Sequence, residues 1–140
     1  MKPNPPDIAD RPVRILIVDD QCDNRELLEI ILGWEGFFVL TAASGEEALS
    51  AAAQKQLDLV LLDVMMPEMN GYEVLAKLKA NAMTKHIPVM LLSGLADRAA
   101  KLLGMNAGAE DFLAKPLHRE TIVSRVKDLL RKTYADYHET

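Results

Sequence analysis

The chain has 140 residues, 49% of them apolar and 26% charged, and a formal net charge of −5. That length suits one domain with one sizeable core, the mildly acidic balance lacks the basic footprint of a nucleic-acid binder, and no apolar run approaches the ~20 residues of a membrane span. Cys22 is the only cysteine, which excludes an internal disulfide and makes a reducing cytoplasm the default.

The first twelve residues, MKPNPPDIADRP, are rich in proline and contain no apolar stretch. They are expected to be a flexible lead-in, not a signal peptide. Five short apolar runs follow, at 13–18, 37–41, 57–62, 88–92 and 111–114. Stretches of helical period separate and follow them, near 21–33, 44–54, 70–81, 95–107 and 118–133. Strict βα alternation predicts a parallel sheet with helices on both faces. The first and third runs, VRILIV and LVLL, do not alternate, as expected of strands buried on both sides. Ser44-Gly-Glu-Glu47 has the capping-box form, and Asn70-Gly-Tyr-Glu73 is a looser version. Gly108 is placed to end the fourth helix. The fifth helix carries Ile122, Val123, Val126, Leu129 and Leu130 on one stripe. One domain is therefore expected over 13–133, with 134–140 as a helix extension or linker.

Sites in open parallel α/β sheets form at the carboxyl ends of the strands. The first predicted strand ends in Asp19-Asp20, the third in Asp63, the fourth in Ser93-Gly94 and the fifth in Lys115-Pro116. The usual strand order for five such units, 2-1-3-4-5, places the first and third strands side by side, so the three aspartates converge at the switch point. Clustered like charges raise one another's pKa and need cations. Mg²⁺ is the natural one, a hard cation taking carboxylate, water and phosphate oxygens. With Lys115 it would neutralise the three acids before any phosphate arrives. An aspartate there could act as nucleophile and form an acyl phosphate. Any one of these residues alone reads as a helix cap, a turn or a solvated lysine. Their joint occurrence at four strand ends favours a site.

The segments ILIVDD (15–20), LVLLDVMMPEMNGYEV (59–74), VMLLSG (89–94) and GAEDFLAKP (108–116) together resemble the response-regulator receiver domain of two-component signalling. The resemblance runs from about Val13 to Lys132. It implies a flavodoxin-like (βα)5 doubly wound fold. It also implies that Asp63 is the phosphoacceptor, served by a sensor histidine kinase or a histidine phosphotransfer protein. Asp20 and Asp63 would bind Mg²⁺ directly, Asp19 largely through water, and Met65 through its backbone carbonyl. Lys115 and Ser93 would hold the phosphoryl oxygens. Phe112 would be the aromatic switch residue, and Lys115–Pro116 a cis peptide. The protein would be a phosphorylation-regulated switch, not a classical enzyme, and homodimerisation through the face of the fourth helix, fifth strand and fifth helix is a habit of the family. Phe112 stands where tyrosine is common, and Met65 and Leu95, at positions that influence dephosphorylation, are both apolar.

Two other readings compete. A flavin carrier would need glycine and hydroxyl groups that VDDQCDN lacks. An aspartyl-phosphate hydrolase would need a second acid two residues after the nucleophile, where Met65 stands.

Overall fold

The computed structural model describes residues 11–94, 98–135 and 137. Strands and helices alternate as β1 (Arg14–Val18), α1 (Cys22–Trp34), β2 (Phe38–Ala42), α2 (Gly45–Gln54), β3 (Leu59–Asp63), α3 (Gly71–Ala80), β4 (Val89–Ser93), α4 (Arg98–Asn106), β5 (Asp111–Ala114) and α5 (Arg119–Thr133). The strands form one parallel sheet in the order β2-β1-β3-β4-β5. The doubly wound (βα)5 fold expected from the alternation is thus present. The predicted start of the fourth helix, 95–97, lies outside the described residues, as does most of the lead-in.

The unbroken apolar runs are explained by two cores, one on each face of the sheet. Side chains of a strand alternate between faces. Leu59 and Leu61 join Ile15, Ile17 and the inner stripes of α1 and α5. Val60 and Leu62 join Leu16, Val18 and the inner residues of α2 and α3. All five β3 residues are buried, so both positions of the alternation must be apolar until the last, Asp63.

The helix ends refine the sequence reading. The complete capping box belongs to α3, where the Glu73 backbone N–H donates to Asn70 and the Asn70 N–H donates back to Glu73. At α2 the Glu47 N–H donates to Ser44, but Glu47 itself accepts from Ala43, one residue earlier than a reciprocal box requires. Helix α4 ends as expected at Gly108, whose φ of 106° only glycine adopts freely. The Gly108 N–H donates to Met105 and the Ala109 N–H to Gly104, the paired closure of a Schellman turn.

The third strand starts two residues later than the apolar run suggested, because Asp58 is committed elsewhere. Asp58 is fully buried at the amino edge of the sheet. Both its oxygens accept from the Arg11 guanidinium at 2.8 Å, and one also accepts the Arg14 N–H at 2.8 Å. Its carbonyl accepts the Tyr134 hydroxyl at 3.1 Å. Tyr134, just past α5, is only 2% exposed and packs in the core. Removing one partner of a buried ion pair leaves an uncompensated charge, so Arg11→Ala should cost about 2–3 kcal/mol of stability. A denaturant titration would show it as a lower midpoint. Arg11→Lys should recover only part, because an ammonium cannot form the two-pronged contact.

Candidate functional site

The carboxyl edge of the sheet gathers the acids that the sequence placed there. Asp19 follows β1 and is 1% exposed, Asp63 ends β3 and is 3% exposed, and Asp20 faces solvent. Each offers one carboxylate oxygen, and these oxygens lie within 4.8 Å of one another. Lys115, just after β5, reaches both buried acids, with Nζ 3.5 Å from Asp19 Oδ2 and 3.4 Å from Asp63 Oδ1. The Lys115–Pro116 peptide is cis.

Backbone contacts hold these acids in place. The Asp19 N–H donates to Ala42 at 3.1 Å, and Asp19 Oδ1 accepts the Gln21 N–H at 2.9 Å. The Asp19 carbonyl accepts from Arg25 Nη1 at 2.8 Å. Asp63 Oδ1 accepts the Met65 N–H at 3.3 Å. What remains is Asp19 Oδ2, fully buried and without a hydrogen bond among the described residues. It meets the Lys115 ammonium only as an ion pair at 3.5 Å, and a buried carboxylate oxygen without a hydrogen bond is costly unless positive charge compensates it. Burial first, and then the neighbouring Asp19 charge, push the Asp63 carboxyl above the usual carboxylate range, against the pull of Lys115. One ammonium is thus shared between two desolvated acids beside a third, and the set of hard oxygen donors fits a divalent cation such as Mg²⁺.

The loop after Asp63 is positioned by a close backbone contact. The Gly71 N–H donates to the Val64 carbonyl at 2.9 Å. A Cβ on Gly71 would lie 2.5 Å from the Asp63 carbonyl oxygen and 2.7 Å from Val64 Cα, so no other residue fits without moving the end of β3. Within the loop, the Met69 N–H donates to Pro67 across Glu68, which adopts a φ of 67°. The Met65 side chain is 59% exposed.

Ser93 ends β4, fully buried, and its carbonyl accepts the Lys115 N–H at 2.8 Å. It lies one residue beyond Leu92, the partner of Asp63 in the sheet register. Phe112 lies on β5 opposite Leu91, with its ring buried. Cys22 opens α1, and its thiol donates to Glu26, which pushes its pKa up and away from nucleophilic use.

The sequence reading missed Gly71 as a spacer and Arg25 as a partner of Asp19. The NG pair after the third strand signalled a helix start but not the close approach. No local sequence pattern marks Arg25; its role shows only in the folded contact with the Asp19 carbonyl.

The fold and the site together define a doubly wound α/β protein with an acid triad and a lysine at its switch point. The chain belongs to one family of such proteins: residues 15–127 match the response regulator receiver domain. The response regulator PleD of Caulobacter vibrioides is 46% identical over 118 residues, which is 84% of this chain and 26% of that protein. The "Probable transcriptional regulator ycf27" of Guillardia theta is 38% identical over 120 residues, 86% of this chain and 46% of the relative. Among solved structures, the chemotaxis protein CheY4 of Vibrio cholerae superposes with a TM-score of 0.81 at 30% identity, covering 84% of this chain and 98% of the other. The chain therefore spans half or less of the length of these two curated relatives. No helix among the described residues is long and apolar enough to cross a membrane.

A carboxyl whose pKa is raised on folding holds its proton more tightly in the folded state. Its favourable contribution is full below the ordinary carboxylate pKa and is lost as pH rises through the folded value. At about pH 7 and without divalent cations, ionised Asp63 therefore weakens the fold. Asp63→Asn should raise Tm there by a few degrees, and the gain should shrink as pH falls towards about 4. Thermal melts in chelator-treated buffer across that range would check this.

Proposed function

We propose that this receiver domain accepts a phosphoryl group on Asp63 in a Mg²⁺-dependent reaction. The observation that carries the reading is the buried Asp19 Oδ2, which makes no hydrogen bond among the described residues and shares the Lys115 ammonium with Asp63, beside a third acid, Asp20. Mg²⁺ held by Asp20, Asp63 and the Met65 carbonyl, and through water by Asp19, would neutralise the phosphoryl oxygens.

The donor is a phosphohistidine on a sensor histidine kinase or histidine phosphotransfer protein. A carboxylate oxygen of Asp63 forms the new O–P bond as the P–N bond to the donor imidazole breaks. The donor ring, already protonated on its other nitrogen, leaves as neutral imidazole and Asp63 becomes an acyl phosphate. The contacts of Asp63 with Met65 and Lys115 both fall on Oδ1, which leaves Oδ2 for the attack. Lys115 then shifts towards the phosphoryl oxygens, and the Ser93 hydroxyl donates to one of them. A cleft of about 220 Å³ lined by Asp19 and Lys115, with Leu27, Ile31, Pro116 and Leu117 in its walls, offers a largely apolar seat for the donor beside the acid edge.

Movement of Ser93 is read out at Phe112 and on the face of α4, β5 and α5, where docking or homodimerisation would follow. Leu102 and Leu103 on α4 are 52% and 57% exposed, which suits a face that gains a partner. The protein would act as a cytoplasmic signalling switch that assists its own phosphorylation and dephosphorylation. No direct contact with nucleic acid or membrane is assigned to this domain.

Asp63→Asn should keep the fold, by circular dichroism, and lose all phosphate uptake from acetyl phosphate. Uptake persisting in that variant would overturn the assignment of Asp63. The exposed apolar side chain of Met65 offers no group to orient an attacking water, which implies slow self-hydrolysis; Leu95, the other apolar position, lies outside the described residues. A polar replacement such as Met65→Asn should shorten the phospho-lifetime several-fold, measured as decay of the phosphorylated band on a phosphate-affinity gel. An unchanged lifetime with every polar residue tried would remove that explanation.

A further inference from the structure

We propose that Arg25 is a positioning residue of the metal site: it holds the main chain of Asp19, and with it the Asp19-Asp20 pair, in the orientation Mg²⁺ requires. The inference rests on the reading above only in taking these aspartates as Mg²⁺ ligands.

Arg25 lies in the first turn of α1, where its N–H donates to the Gln21 carbonyl at 3.2 Å. Helical side chains lean towards the helix N-terminus, and the Arg25 guanidinium follows this lean back past the start of its own helix. There Nη1 donates to the Asp19 carbonyl at 2.8 Å in a partly buried position. A cation near the positive end of a helix is in the wrong place for the helix dipole. A cation beside a site that must admit a divalent ion is also electrostatically unfavourable. What favours Arg25 there is the hydrogen bond it makes.

The carbonyl it holds belongs to the peptide joining Asp19 to Asp20. That unit is planar, so fixing its oxygen fixes the rotation of the plane and the direction in which Asp20 leaves it. The Asp19 N–H and Oδ1 are already tied to Ala42 and Gln21. The Arg25 bond is the third restraint, and together they leave Asp19 Oδ2 as the oxygen without a hydrogen bond, facing Lys115.

The two roles open to Arg25 differ in sign. If it acted only as a nearby charge, removing it would tighten Mg²⁺ binding. If it positions the aspartates, removing it loosens binding. Calorimetric Mg²⁺ titrations of the unaltered chain, Arg25→Met and Arg25→Lys would decide. Methionine keeps an apolar stem without charge or donor, and lysine restores one donor. Arg25→Met should weaken Mg²⁺ binding roughly tenfold, as loss of a ligand-orienting partner does. Arg25→Lys should stay within about threefold of the unaltered chain, well short of that loss. In metal-free protein, amide exchange at Gln21 should speed up in Arg25→Met while the global Tm moves little. If Arg25→Met fails to fold, Arg25→Gln carries the same comparison. Unchanged or tighter binding without the arginine, or an equal loss in Arg25→Lys, would overturn the proposal. Absence of Mg²⁺ binding in the unaltered chain would instead overturn the functional reading beneath it, and that measurement needs no substitution.

Discussion

The structure turns on one desolvated carboxylate at the end of a strand buried on both faces. Asp63 is 3% exposed after four apolar residues that are wholly buried. A charge in that position must find compensation within a few ångströms or give up its ionisation. Among the described residues, two further acids and the Lys115 ammonium stand there. That combination leaves the edge short of positive charge, which is what makes it receptive to a divalent cation. Parallel strand order follows the same logic, since only the neighbouring placement of β1 and β3 lets Asp19 and Asp63 share Lys115.

The geometry also links the acid edge to the outer helices. The Lys115 N–H is bonded to the Ser93 carbonyl, so the ammonium and the hydroxyl are carried at the ends of adjacent, directly bonded strands. Phe112 lies on β5 under α4, three residues before Lys115, so one short strand connects the acid edge to that helix.

Most of this was legible because the fold is written in patterns with few alternatives. Uninterrupted apolar runs between helical periods leave little besides a doubly wound parallel sheet, and its carboxyl edge selects the same acids that the structure gathers. The residues that escaped notice share a different character. Asp58 interrupts an apolar run, yet its partner Arg11 lies 47 positions away, and no local pattern announces such a pairing. Gly71 appeared as part of a capping signal, whereas its lack of a side chain matters because β3 passes within 2.5 Å of where a Cβ would stand. Tyr134 sat past the last periodic stripe, and only its burial shows that it belongs to the core. Long-range pairings and close approaches are products of the assembled fold, so the sequence carries them only as unexplained residues.

The Asp58 clamp draws distant segments of the chain together at β3. Arg11 and Tyr134, from segments on either side of the five βα units, grip the same residue at the amino end of this strand. Asp63 occupies the other end, about 17 Å away along an extended backbone. The two flanks of the chain are thereby stitched to each other through the lead-in to one central strand, and that strand's far end is the acid edge.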